Sequence, residues 1–411
     1  MPFHNMKKKN IMRALIALIV LAGVVFTAGA QVPSAGKTVG IDETPGFNPL
    51  RTAVPFLTIA PDSRAGGMGD VGVATDPDPA SQHWNPAKYM FMRENAGAHV
   101  SYIPWLRNLV PDINLAYVSG FYKIDKQQAI SGSLRYFSLG QMIFTNEYNQ
   151  EMGRYNPNEF ALDAAYSRLF SENFSGAVTF RFIRSDFGRA FVSTVGETKA
   201  GVSFAADVAW FYHKDIEIND KDAKLSIGMN ISNMGSALSY TDNKSKEKIP
   251  TNLRFGGSLK TYLDEYNSFA VALDMNKLLV PTPPNYTYDS TSQSNIILPG
   301  NGMDPNVSLL TGMVHSFYDA PAGFREEMQE IIYTGGLEYG YRDQFFVRGG
   351  YFHEAMNKGN RKYYTLGFGL RWNVLLLDFA YMVPVGGRTS PLANTMRFSL
   401  GFLLGQQKKS R

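Results

Sequence analysis

The stretch Lys224-Leu225-Ser226-Ile227-Gly228-Met229-Asn230-Ile231-Ser232-Asn233-Met234 alternates apolar with small or polar side chains. Leu225, Ile227, Met229 and Ile231 fall on one face, and Ser226, Gly228, Asn230 and Ser232 on the other. Period-two alternation marks a strand whose two faces meet different surroundings. Here it reads as apolar outward, small and polar inward.

The same pattern recurs in Phe160, Leu162, Ala164 and Tyr166, in Phe174, Val178, Phe180 and Phe182, in Phe204, Ala206, Val208 and Trp210, in Phe269, Val271, Leu273 and Met275, and in Met396, Phe398, Leu400 and Phe402. The opposite faces carry Asp163, Arg181, Asp207, Arg254, Asp274, Asn276, Arg348, Asp378 and Arg397. An Arg or Lys facing lipid at the midplane costs about 2 to 4 kcal/mol, so these charges belong in a lumen, paired. Strands are expected near 97–105, 113–122, 128–137, 160–170, 174–183, 201–212, 224–233, 251–261, 267–277, 333–341, 345–353, 363–371, 374–384 and 394–404. Stretches of about 9 to 11 residues suit a tilted strand crossing a bilayer. The fold class expected is all-β: a transmembrane 14-stranded antiparallel barrel with an N-terminal hatch and long extracellular loops.

The connections support this. Residues 138–159, 184–200, 234–250 and 278–332 are long, whereas Ser171 to Asn173 and Arg342 to Gln344 are short. Short turns of such barrels face the periplasm and long loops face outside, and an even strand number puts both chain ends on the periplasmic side. Residues 213–223 read as one long periplasmic turn that the pattern does not explain. The longest outer loop opens with Pro281, Pro283 and Pro284 and ends in Phe324-Arg325-Glu326-Glu327-Met328-Gln329-Glu330-Ile331-Ile332, a short amphipathic helix that suits a docking element or lid.

Composition narrows the class. Aromatic residues make up 13%, with 22 Tyr and 28 Phe, as interfacial girdles need, and Cys is absent, which excludes disulfide and thiolate chemistry. Lys7, Lys8, Lys9 and Arg13 precede an apolar run from Ala14 to Phe26 and then Ala28-Gly29-Ala30, so residues 1–30 are expected to be a signal peptide cleaved after Ala30. Removing those four basic residues from 40 leaves 36 against 36 acidic ones, so the apparent basicity belongs to the export signal and nucleic acid is not an expected partner. No later segment is apolar for about 18 residues, as a membrane helix would require.

Gly67-Met68-Gly69-Asp70-Val71-Gly72 fits the dinucleotide fingerprint, but Ala74-Thr75-Asp76-Pro77-Asp78-Pro79 follows where a helix should begin. His83, His99, His213, His315 and His353 have no metal-ligand spacing, and no Gly-x-Ser-x-Gly elbow occurs, with Gly201-Val202-Ser203-Phe204-Ala205 the nearest. No catalytic residue, metal or cofactor is therefore assigned, and the protein is not expected to be an enzyme. Residues 31–96 are expected to form a periplasmic N-terminus and hatch, 97–404 the barrel, and 405–411 a tail.

Gly66, Gly67 and Gly69, followed by Trp84-Asn85-Pro86-Ala87 just before the first strand, resemble the hatch of FadL-type barrels, which implies a structural plug and, as one functional alternative, transport of hydrophobic molecules. Ser63-Arg64-Ala65-Gly66-Gly67-Met68-Gly69-Asp70, Ile249-Pro250-Thr251-Asn252-Leu253-Arg254-Phe255-Gly256, Arg348-Gly349-Gly350-Tyr351-Phe352-His353-Glu354 and Pro391-Leu392-Ala393-Asn394-Thr395-Met396-Arg397-Phe398-Ser399-Leu400 together resemble the PorV (LptO) family of type IX secretion. That resemblance implies a non-enzymatic outer-membrane component that takes cargo bearing a C-terminal signal domain from a giant translocon barrel (SprA/Sov-like). It implies delivery to a cell-surface attachment complex with a PorU-like sortase, among lipid and lipopolysaccharide. A lipopolysaccharide deacylase is the remaining alternative, and it lacks a recognisable nucleophile and base. One departure is that Phe402 is followed by Leu403-Leu404-Gly405 and a basic tail, Lys408 to Arg411, rather than ending the chain.

Overall fold

A computed structural model describes residues 47–406 apart from 108, 109, 111, 146, 147, 189, 190, 193–195, 198, 242–245, 291, 292, 387–391, 393 and 394. The expected signal peptide, the Lys408 to Arg411 tail and most of Pro391–Asn394 lie outside the described residues.

Fourteen antiparallel strands close into one barrel. They are β1 (Glu94–Pro104), β2 (Asn114–Lys123), β3 (Gln128–Ser138), β4 (Asn158–Ser171), β5 (Phe174–Asp186), β6 (Gly201–Ile218), β7 (Lys221–Gly235), β8 (Asn252–Tyr262), β9 (Asn267–Leu278), β10 (Ile332–Tyr341), β11 (Phe345–His353), β12 (Lys362–Trp372), β13 (Leu375–Pro384) and β14 (Met396–Gln406). Each pairs with its sequence neighbour, and β1 pairs with β14 from Glu94 opposite Gln406 to Tyr102 opposite Phe398, which removes the free edges an open sheet would leave. Alternation sorts the side chains as the sequence implies: along β4, Ala161, Asp163, Ala165 and Ser167 are buried while Leu162 and Tyr166 are exposed on the outer wall. No helix among the described residues is long and apolar enough to cross a membrane.

Connections of few residues, 124–127, 172–173, 219–220, 263–266, 342–344 and 373–374, gather at one rim. The long ones, 105–113, 139–157, 187–200, 236–251, 279–331, 354–361 and 385–395, gather at the other. Residues 213–223 correct the expected long turn. β6 runs on to Ile218, β7 starts at Lys221, and Asn219-Asp220 (φ 53 and 60) make a two-residue turn of the positive-φ kind that hairpins favour. The outer face from His213 to Asp222 keeps only Ile216 and Ile218 as apolar residues, with Lys214 and Lys221 on the same face, so the alternation weakens there although the strands continue.

The parity argument holds for the barrel, since β1 begins and β14 ends at the short-turn rim. It does not extend to the segment before β1. Asn48 N donates to Asn357 O and Ala53 N to Lys248 O, both 2.9 Å, so the described chain enters at the long-loop rim and descends through the lumen. A threaded segment is not bound by strand parity.

Candidate functional site

The lumen is filled by three layers. Near the long-loop rim Val54, Phe56 and Leu57 pack with Ile103, Leu115, Phe137, Ile183 and Ile249. Near the short-turn rim Tyr89, Met90 and Met92 pack with Phe121 and Leu403, with the Tyr89 and Phe121 rings stacked at 4.8 Å. Between them lies a belt of buried charge. Arg181 reaches both oxygens of Asp163 (2.6 and 2.9 Å) and pairs with Asp207 at 3.0 Å. Arg64 of the threaded segment bridges Glu338 (3.2 Å) and Asp78 (2.9 Å), and Arg348 holds Glu338 from the other side at 2.6 Å. Asp70 meets Arg397 and accepts from Tyr363 Oη at 2.6 Å. Charges this deeply buried are tolerable only when paired and hydrogen-bonded.

The residues singled out by sequence lie along this path. Helix α1 (Ser63–Gly66) is capped by Asp62, which accepts from Ala65 N at 2.9 Å. Gly66 lies against the Arg397 side chain. A Cβ on Gly67 would sit 2.8 Å from Gly367 Cα, and Gly69 (φ +74) is so close to β11 that a Cβ would meet Tyr351 N at 2.6 Å. Trp84 ends helix α2 (Ser81–Trp84) and donates from Nε1 to Asp62 Oδ1 at 2.6 Å. Asn85 donates to Val73 O (3.1 Å) and Trp210 O (2.8 Å) while its own oxygen caps the 3₁₀ turn Pro86–Phe91 at Ala87 N. Pro86 O and Ala87 O accept from Ser167 and Ser175 hydroxyls at 2.9 and 2.8 Å. The glycine stretch does cradle an anion: Gly72 N and Val73 N donate to Asp274 Oδ2 at 2.8 and 2.9 Å, a carboxylate of the wall where the dinucleotide fingerprint would place a phosphate. Asp62, Asp70 and Asp274 were not singled out as site residues; Asp62 bonds within the threaded segment, to Ala65 and Trp84, whereas the partners of Asp70 and Asp274 lie far away in sequence. Ser203, the nearest approach to a hydrolase elbow, donates to Ser236 O at 2.6 Å, not to a base.

At the long-loop rim, residues 279–331 build a platform. Helix α4 (Phe324–Gln329) is shorter than the sequence suggests, because Ile332 is claimed by β10. A second helix, α3 (Leu309–His315), was missed; its Ser308 N-cap is legible, but the segment is short and contains Gly312. One side of α4 is nailed down by ions. Lys277 Nζ holds Glu327 (3.0 Å) and Glu330 (2.7 Å), and Lys358 Nζ holds Glu326 (2.6 Å) and Glu330 (2.9 Å). Thr282 Oγ1 also donates to Glu330, and Asn48 Nδ2 to Glu326, at 2.7 and 3.1 Å. Burial raises the carboxyl of Glu327, and that of Asp319 beside it. Burial pushes Glu326 the same way, but Lys358 and the Ala322 amide outweigh it and hold the group below the ordinary range. Exposed apolar side chains stand out in the same loop: Phe324 (77% exposed) and Met328 on α4, Leu310 (71%) and Val314 on α3, and Phe317 and Tyr318 after it.

A sequence model of the family described as type IX secretion system protein PorV matches residues 44–285, more than half of the chain. The chain belongs to the PorV family. No curated protein sequence matches this PorV-family chain. Among solved structures it is similar to the Ralstonia pickettii toluene transporter TbuX (12% identity, TM-score 0.41, 84% of this chain and 96% of that one). It is also similar to the P. putida toluene transporter TodX (8%, 0.49, 85% and 99%) and to a Pseudomonas aeruginosa FadL homologue (12%, 0.35, 86% and 97%). This PorV-family protein is a closed fourteen-stranded outer-membrane β-barrel in the context of type IX secretion, its fold resting on its own strand order and its context on the family.

Proposed function

We propose that the protein is a non-enzymatic cargo carrier of type IX secretion, binding secreted proteins through their C-terminal signal domain at the translocon and passing them to the attachment complex. The observation that carries this reading is the exposed apolar platform of α3 and α4 on a barrel of the PorV family. In this reading the long-loop rim faces the cell exterior, the short-turn rim faces the periplasm, and the segment containing Gly66, Gly67, Gly69, Trp84, Asn85, Pro86 and Ala87 is a structural plug. The threaded segment favours surface capture over passage of hydrophobic molecules through the barrel, because residues 53–92 fill the lumen and are buried along most of their length.

Its test is removal of Gly323 to Ile331 with a short polar linker. The barrel should keep its heat-dependent gel migration while cargo signal domain binding to purified protein falls. Undiminished binding would refute the platform as the cargo surface.

A further inference from the structure

β6 and β7 outrun their neighbours at the short-turn rim. β6 pairs with β5 only as far as Tyr212 opposite Phe174, and the last bond on that side runs from His213 N to Asn173 O at 2.9 Å. β7 pairs with β8 down to Ala223 opposite Thr261, and Lys221 Nζ closes that side by donating to Leu263 O at 2.6 Å. Beyond these points the two strands continue as a ribbon, in register from Lys214 opposite Leu225 to Ile218 opposite Lys221. Among the described residues no strand lies against β6 past His213.

In an antiparallel ladder, alternate residues turn both main-chain groups to the same side. The His213 bond therefore sets Asp215 and Glu217 with N–H and C=O toward the open edge, while Lys214 and Ile216 bond to β7. Residues 214–218, at roughly 3.4 Å each, give an edge of about 17 Å. The edge carries no proline, and the one irregularity in β6 lies far up the wall, between Ala206 and Val208. The two-residue turn Asn219-Asp220 fixes the register, so little ordering remains to be done on binding.

The two faces of the ribbon differ. Lys214, Ile216 and Ile218 continue the outer wall, and Ile218 is 37% exposed. His213, Asp215 and Glu217 continue the lumen face, where Asp215 lies opposite Lys224 but Glu217 lies opposite Asp222. Like charges directly opposite destabilise a pair of strands, and a cation arriving on the open side would relieve this one.

We propose that the open edge of β6 is a strand-addition site for an extended protein segment whose side chains alternate apolar and basic, the apolar ones against Ile216 and Ile218 and the basic ones beside Glu217. The inference does not depend on the cargo reading.

The test uses the purified full chain in detergent and two short synthetic peptides, one alternating valine with lysine and one alternating valine with glutamate. The valine–lysine peptide should slow hydrogen exchange of the Asp215 and Glu217 amides, and should bind tighter than its acidic counterpart by at least about tenfold. Glu217→Pro removes a donor from the open edge without touching the β6–β7 bonds and should abolish that binding. Glu217→Lys keeps the donor and should reverse the peptide preference. Absence of protection at Asp215 and Glu217 at the highest soluble peptide concentration, or equal binding to Glu217→Pro, would overturn the proposal.

Discussion

The lumen and the long-loop platform bury charge in the same way and leave opposite things exposed. In the lumen, Arg64 and Arg397 tie a threaded segment to the wall while Arg181 and Arg348 cross-link wall strands, with apolar layers above and below, so the charges are turned inward. On the platform, Lys277 and Lys358 fasten the acidic side of α4, and the consequence is an apolar surface held up to solvent. Buried ion pairs are weak evidence of stability, but in both places they fix a geometry. What differs is that one geometry closes a hole and the other presents a face.

The comparison breaks most severely at Arg181. Arg181→Ala leaves Asp163 and Asp207 buried together without their ion-pair partner and should cost about 3 to 5 kcal/mol, seen as a drop in the temperature at which the barrel changes gel mobility. Trp84→Phe should cost less, about 1 to 3 kcal/mol, because an aromatic ring stays under Arg254 while the bond to the buried Asp62 and part of the packing on Gly72 are lost, and its mark should be protease sensitivity of the threaded segment with the barrel intact.

On the platform the pH dependence should carry opposite signs at two carboxyls. The Glu326 group is held below its usual 4.5, so its contribution is present above that pH and fades as pH falls; Glu326→Gln should loosen the loop at neutral pH and match the native chain in acid. The Asp319 group is raised above 3.8, so its ionisation weakens the loop as pH rises, and Asp319→Asn should tighten the loop at neutral pH. Limited proteolysis of residues 279–331 against pH separates the two. The smallest effect on folding belongs to Phe324→Ser, within about 0.5 kcal/mol by thermal melting, although cargo binding should fall.

The barrel was legible because lipid enforces period two over whole strands; the observed β11, Phe345–His353, has the expected ends, and most others agree within a few residues. Legibility failed where that pressure stops. Beyond the wall, at His213 to Asp222, charged residues interrupt the outer apolar row and only Ile216 and Ile218 mark it, so strand and turn are hard to tell apart. The direction of the threaded segment was hidden for another reason: its anchors are single bonds such as Asn48 to Asn357, and pairing across the chain leaves no local pattern. The glycines at 67 and 69 were visible, but the reason for them, the backbone of Gly367 and Tyr351, was not.

The most direct test of the cargo role is gentle extraction of the tagged protein from its own outer membrane, with quantitative mass spectrometry of what accompanies it. The account predicts near-stoichiometric recovery of a very large barrel protein, together with secreted proteins sharing a C-terminal signal domain or the surface sortase complex. Recovery of the barrel alone, with bound lipid and no such proteins, would contradict it.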